Sequence, residues 1–137
     1  MSNSPMTNTQ TNPNLKNDQK IFNLEERTAK FSDDIIKFVK LLPNTIINRP
    51  LITQLIRAAT SVGANYCEAD EAESKKDFIH KIGICKKEIK ETKYWLRIIA
   101  NANEEFKNDL RLLYKEAQEL NLIFSKILHS SKNGKSQ

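Results

Sequence analysis

Basic side chains recur along one side of the segment between residues 73 and 101 of this 137-residue chain. The segment holds eight Lys or Arg residues and four Asp or Glu residues, so its net charge of +4 supplies most of the chain's +5. On a helix with about 100° between successive residues, five of these cations fall within about 60° of one another and two lie just beside them. Together they are Lys75, Lys76, Lys86, Lys87, Lys90, Lys93 and Arg97. Clustered cations are typical of surfaces that contact phosphates, so the sequence predicts a nucleic-acid-binding face here.

Two other interpretations of this basic row remain open. Lysines that recur along a helix often form no more than a solvated surface. Alternatively, the acidic residues of the same segment gather on its other side, which suits head-to-tail pairing between copies of the chain and the closure of a ring. These acids are Glu73, Asp77, Glu88 and Glu91. A ring would repeat the basic surface around an axis and strengthen a weak contact with RNA.

A second set of polar residues follows one flank of an apolar stripe in the preceding helical segment. Arg57, Ser61, Asn65 and Glu68 are spaced four, four and three residues apart, as neighbours on one helix face. A charge beside an apolar stripe needs a partner, and Glu88 or Glu91 of the next helix would supply one for Arg57. We therefore predict a structural polar network of Arg57, Ser61, Asn65, Glu68, Glu88 and Glu91. No activated nucleophile accompanies it, which argues against a catalytic dyad.

The remaining residues that could do chemistry form no recognisable catalytic or metal-binding group. His80 and His129 have no second His or Cys three or four residues away, so they are expected on the surface and not as zinc ligands. Cys67 and Cys85 are predicted to pack as small apolar side chains in a reducing cytoplasm. The sequence thus predicts a protein that is not an enzyme and has no catalytic residues, metal, cofactor or small-molecule substrate. An enzyme formed in a cleft between two copies remains an open alternative.

Four helical segments must position these residues. Their apolar side chains recur alternately every three and four residues, the pattern of helices that pack at a shallow angle. The first runs from about 24 to 42, with Asn23 as its cap and Pro43 after its end, and the second from about Pro50 to 69. The third begins at a cap on Ser74, and the fourth follows Asn101 or Asn103. Gly63 and Gly83 stand isolated within helices and are expected where two helices approach closely.

Short connections between the segments predict an all-α fold, an antiparallel up-down-up-down four-helix bundle. We expect residues 1–20 to be a disordered N-terminal tail, residues 21–129 the bundle domain and residues 130–137 a flexible C-terminal tail. No apolar run is long enough to span a membrane. The first residues lack the charged start and apolar centre of a secretory signal, which predicts a cytoplasmic protein without a membrane partner.

The helical core of the chain resembles a known bacterial family. The resembling stretch reads LPNTIINRPLITQLIRAATSVGANYCEADEAESKKDFIHKIGICKKEIKETKYWLRII. Its matching elements are Leu42, Pro43, residues 54–57, residues 61–65, Glu68, Ser74, residues 76–78, Lys87, Glu88, Glu91, Thr92 and residues 94–96. In this combination and order they resemble the four helix bundle protein family, also called 23S rRNA intervening-sequence proteins. The resemblance covers about residues 23–128.

This resemblance implies a small left-handed four-helix bundle that assembles as a ring-shaped homopentamer in the cytoplasm. Some members are encoded inside intervening sequences of 23S rRNA genes, and most have no known function. The accessory protein of diversity-generating retroelements resembles the same pentamer, and it binds a reverse transcriptase and nucleic acid through basic surface. We therefore expect a non-enzymatic homo-oligomer that binds RNA, such as rRNA, or a nucleoprotein partner. The alternative is a protein-binding adaptor, for example a reverse transcriptase accessory, that makes no direct contact with nucleic acid.

Overall fold

The computed structural model describes residues 23–133, which form four α-helices and no strand. The helices are α1 (Leu24–Val39), α2 (Asn48–Asp70), α3 (Lys75–Ala102) and α4 (Lys107–Asn133). One turn of 3-10 helix, Glu104–Phe106, leads into α4. Helix α3 packs extensively on both α2 and α4, whereas α1 packs mainly on α2 and touches α4 less. The predicted all-α four-helix bundle is confirmed for the described residues.

The apolar stripes of the four helices meet in one core. The large side chains in this core are at most 2% exposed. They include Phe31, Ile35, Leu55, Val62, Ile82, Ile89, Leu96, Ile99, Leu110, Leu120 and Phe124. On each helix these residues are separated by three, four, seven or ten positions, which are sums of threes and fours, so the spacing that predicted the helices also identifies their buried faces. Burial of large aliphatic and aromatic side chains contributes roughly 1.5–3 kcal/mol each, which makes this core the main source of stability.

Contacts at the helix ends show which ends lie side by side. Asn48 at the start of α2 bonds to Asn103 directly after α3, and Lys81 near the start of α3 bonds to Glu68 near the end of α2. The rings of Phe38, near the end of α1, and Phe106, just before α4, are 6.0 Å apart in an edge-to-face contact. The beginning of one helix therefore lies beside the end of its neighbour.

The contact between Asn48 and Asn103 is a reciprocal amide pair buried at one end of the bundle. Each side-chain Nδ2 donates to the other residue's Oδ1, at 3.0 and 2.9 Å. Asn48 also donates to the Pro43 carbonyl and Asn103 to the Ile99 carbonyl. The pair ties the connection between α1 and α2 to the connection between α3 and α4. The local sequence pattern does not predict this pair, because the two residues are 55 positions apart.

Of the helix caps predicted on Ser74 and Asn23, the structure contains only the first. The Ser74 hydroxyl accepts a hydrogen bond from the Asp77 backbone N–H at 3.0 Å, as predicted for the start of α3. The cap predicted on Asn23 was wrong, because its side chain makes no capping hydrogen bond. Its φ of −105° and ψ of 49° lie outside the extended conformation from which cap side chains reach the first turn. Helix α1 ends at Val39 and α2 begins at Asn48, so Pro50 lies inside the first turn of α2.

The described residues extend past the predicted end of the domain. Helix α4 continues to Asn133, so residues 130–133, assigned to the flexible C-terminal tail, are helical in the structure. The predicted N-terminal tail (1–20) and residues 134–137 lie outside the described residues, and these parts of the prediction stay predictions. Among the described helices, none is both long and apolar enough to cross a lipid bilayer.

The two helical glycines differ in their surroundings. A Cβ on Gly63 would lie 3.0 Å from Thr28 Oγ1, so α1 and α2 approach closely at this point, as predicted. The same prediction for Gly83 was wrong, because a Cβ there would meet no atom within 4 Å. Spacing alone could not distinguish them, since both glycines lie mid-helix and only the neighbouring helix decides how much space is left.

The two cysteines also differ. Cys85 is fully buried and its thiol donates to the Val62 carbonyl at 3.5 Å; burial raises the pKa of this thiol to about 12. Cys67 is exposed, so the prediction that it packs as an apolar side chain was wrong. It lies one turn beyond Gly63, near the end of α2, where the neighbouring α1 also begins. Desolvation and the nearby Glu25 carboxylate still raise the pKa of the Cys67 thiol.

Candidate nucleic-acid interface

The seven basic residues predicted to bind nucleic acid all lie on the surface of α3. Lys75, Lys76, Lys87, Lys90 and Arg97 are exposed, and Lys86 and Lys93 are partly exposed. The Lys93 ammonium lies 5.5 Å from the centre of the Tyr114 ring of α4. Arg97 lines a shallow cleft of about 270 Å³ between α3 and α4. The side of α3 that carries the row therefore turns toward α4.

Helix α4 adds two cations that are not part of the predicted row on α3. Lys107 and Arg111, one turn apart, line the same cleft as Arg97. Lys107 contacts Glu104 at 3.4 Å and Arg111 contacts the Asn108 amide at 3.2 Å, both on their own side of the cleft. At the other end of α3, Lys75 and Lys76 line a shallow groove with residues near the end of α4. We call the seven α3 cations together with Lys107 and Arg111 the α3–α4 cationic face.

Acidic side chains of α4 point away from this face. The Arg27 guanidinium of α1 donates to Glu116 and Glu119, each at 2.8 Å. These bonds raise the pKa of Arg27, and the bond to Glu116 has the largest effect on it. Within residues 23–133, none of the seven α3 cations forms an ion pair with an acid of the chain. Their charge therefore remains available to an external anion.

The other side of α3 carries part of the predicted polar network. Arg57 of α2 donates to Glu88 at 3.4 Å, to Gln54 at 3.1 Å, and to Glu91. Glu91 also accepts a hydrogen bond from the Trp95 indole N–H at 3.0 Å. The indole bond and the Arg57 guanidinium lower the pKa of Glu91, and the bond to Glu91 raises the pKa of Arg57. The carboxylate thus stays ionised and anchors both side chains.

The remaining members of that network have separate partners. Ser61 donates to the Arg57 carbonyl at 2.7 Å, and Asn65 donates to the Ser61 carbonyl at 2.8 Å, so both bond to the backbone of α2. Glu68 accepts from Lys81 at 2.6 Å and raises the pKa of that lysine. The structure therefore joins the side chains of Arg57, Glu88 and Glu91. The side chains of Ser61, Asn65 and Glu68 bond to other partners. Residues of these types form backbone bonds within a helix because a carbonyl lies one turn earlier.

Residues 23–133 hold no group of three or more His, Cys, Asp or Glu side chains that could bind a metal ion. His80 and His129 are both exposed, as predicted, and His129 contacts Asn133 on its own helix. The chemistry that the described surface offers is electrostatic, since its distinctive feature is unpaired positive charge.

The fold and the cationic face define a small basic four-helix bundle protein. A family model described as 23S rRNA-intervening sequence protein matches residues 22–126, and the chain belongs to that family. It is also similar to a crystal structure from Bacteroides thetaiotaomicron, described as a protein with unknown function from the S23 ribosomal protein family. That similarity has 30% identity and a TM-score of 0.70, and covers 76% of this chain and 96% of the other. No curated protein matches the chain.

Proposed function

We propose that this protein binds structured RNA through the α3–α4 cationic face as a non-enzymatic, self-assembling protein of the cytoplasm. The proposed fold is an antiparallel up-down-up-down bundle with left-handed packing. Five copies of this bundle close a ring in the proposed assembly. The observation that carries RNA binding is that none of the seven α3 cations forms an ion pair with an acid of residues 23–133, while acids elsewhere pair with Arg27, Arg57 and Lys81. The family description, which refers to an intervening sequence of 23S rRNA, supports rRNA as the RNA class.

The test is the salt dependence of RNA binding. Each phosphate that a cation neutralises releases counterions, so the logarithm of the association constant falls linearly with the logarithm of salt concentration. For about five phosphate contacts, the expected slope is roughly −3.5 to −4.5. This slope can be measured by fluorescence anisotropy with a labelled 23S rRNA fragment between about 50 and 200 mM KCl. Absence of binding at the lowest salt, or a slope near zero, would contradict the proposal.

Self-assembly is supported by exposed apolar side chains at one end of the bundle. Leu41 is 61% exposed and Leu112 is 69% exposed, and both line a cleft between α1 and α4. Ile46 and Ile47, in the connection that follows α1, are 76% and 59% exposed. Apolar patches of this kind mark interaction surfaces. We propose a second copy of the chain as the occupant, because the ring implied by the family resemblance needs such a surface on every copy.

Replacing Leu112 with serine should weaken assembly. Loss of about 1.5 kcal/mol of apolar burial at each interface weakens each contact about tenfold, so the concentration for half-assembly should rise at least tenfold. Analytical ultracentrifugation over a dilution series measures this change. Leu122→Ser is the matched control, because Leu122 is a similarly exposed leucine of α4, 65% exposed, that lines a different cleft. An equal effect of both variants, or no effect of Leu112→Ser, would count against this interface.

The competing proposal is a protein-binding adaptor without direct RNA contact, such as an accessory protein of a reverse transcriptase. The observation that favours it is the opposite charge of the two sides of α3. The surface around Glu73 and Asp77, at the start of α3, is acidic. In that arrangement, Lys90 and Arg97 pair with acids of a neighbouring copy and are hidden from RNA. The salt titration then shows no binding, and raised salt dissociates the assembly instead.

A further inference from the structure

An exposed aromatic side chain lies within the α3–α4 cationic face. Tyr94 is 53% exposed, so about half of a large aromatic side chain is open to solvent. Lys90 lies four residues before Tyr94 and Arg97 three residues after it. On a helix these spacings make the three side chains neighbours on one surface. Electrostatic attraction to phosphates accounts for Lys90 and Arg97 on this surface, but it does not account for the aromatic ring of Tyr94 between them.

The Tyr94 ring contacts one aromatic neighbour that is itself hydrogen-bonded. It meets the Trp95 ring edge to face, with centroids 5.0 Å apart and planes at 74°. The Trp95 indole N–H donates to Glu91, which Arg57 of α2 also holds. The aromatic pair is thus anchored to an ion pair between two helices. A ring fixed in this way loses little conformational freedom when a ligand stacks on it.

We propose that Tyr94 stacks on an unpaired base of the bound RNA while Lys90 and Arg97 contact the phosphates on either side of that nucleotide. This inference rests on the proposed function and deepens it by naming the ligand class, which is RNA with an unpaired loop, bulge or single-stranded end. Bases within a duplex are stacked on one another, so only an unpaired base can present a face to a protein ring. Lys90 and Arg97 are two helical turns apart, about 10 Å, which leaves room for one nucleotide between their side chains.

The experiment compares two RNAs of equal length and charge, a hairpin with an unpaired loop and a fully paired duplex. Tyr94→Leu should weaken hairpin binding about tenfold, because stacking on an aromatic side chain contributes substantially per base. The same variant should leave duplex binding unchanged. Tyr94→Phe keeps the aromatic face and should bind the hairpin as tightly as the parent protein. Fluorescence anisotropy at one fixed salt concentration measures all six affinities.

An independent readout uses the parent protein alone. Trp95 is the one tryptophan of the chain, and its ring touches Tyr94. A base stacked on Tyr94 should quench Trp95 fluorescence when the hairpin is added, whereas the duplex should not. This measurement needs no variant, so it holds even if Tyr94→Leu proves unstable.

The outcomes separate the inference from the proposed function. Equal binding of both RNAs by the parent and Tyr94→Leu, with no Trp95 quenching, overturns the stacking proposal and leaves RNA binding through the cationic face intact. Loss of hairpin affinity in both Tyr94→Leu and Tyr94→Phe also overturns it, because the hydroxyl and not the ring face would then be required. Failure of the parent protein to bind either RNA at low salt overturns both proposals.

Discussion

Reversing the charge of Lys86, Lys90 and Lys93 together should lower the affinity for structured RNA by about 100-fold at roughly 0.1 M salt. Each substitution to glutamate removes a cation that the proposed interface places against phosphates, and it adds a repulsive charge. The slope of affinity against salt should also become shallower by about three, one for each lost phosphate contact. Because these side chains are exposed or partly exposed and form no ion pair within residues 23–133, the variant should remain folded.

A matched variant distinguishes the face from the overall charge. Lys40, Arg49 and Lys126 are exposed cations that do not belong to the α3–α4 cationic face. Changing these three to glutamate alters the net charge by the same amount, and we expect a loss of affinity several times smaller. Equal losses in the two triple variants would show that total charge, and not this face, governs binding. Parent-like binding by the first variant would exclude the face as the interface.

Replacing Asn103 with alanine should lower the free energy of unfolding by about 2–3 kcal/mol. The substitution removes both bonds of the reciprocal pair and leaves the Asn48 side-chain oxygen buried without its donor. An unsatisfied buried polar group costs more than the net gain of the hydrogen bond it lost. Urea denaturation at fixed protein concentration, followed by Trp95 fluorescence or circular dichroism, measures the change.

The control for this substitution is Asn101→Ala. Asn101 is exposed near the end of α3, so its replacement should change stability by less than about 0.5 kcal/mol. Combining Asn48→Ala with Asn103→Ala should cost less than the sum of the single effects, because the first substitution already breaks the shared bonds. Additive effects, or a loss in Asn103→Ala no larger than in the control, would mean that the pair does not hold the two connections together.

Much of the fold follows from local sequence patterns. Apolar residues spaced alternately three and four apart specify both a helix and the face that it buries, since the helical repeat is the same in every environment. Ser74 is another local feature, because its hydroxyl and the Asp77 N–H belong to the same turn. The sequence also predicts that Arg57 pairs with Glu88 or Glu91, because a charge beside a core stripe needs a partner on the adjacent helix; in the structure it pairs with both.

Contacts that depend on the packing of helices were decided by the tertiary structure. Lys107 and Arg111 extend the basic surface of α3 because α4 packs against the side of α3 that carries Arg97. The spacing of residues within α4 does not predict which side of α3 this is. Gly63 is crowded and Gly83 is not, although both lie mid-helix. Sequence alone thus determined four amphipathic helices and one cationic row, because helical periodicity is local. Which surfaces meet, and so which cations share a face, was decided by packing between residues far apart in the chain.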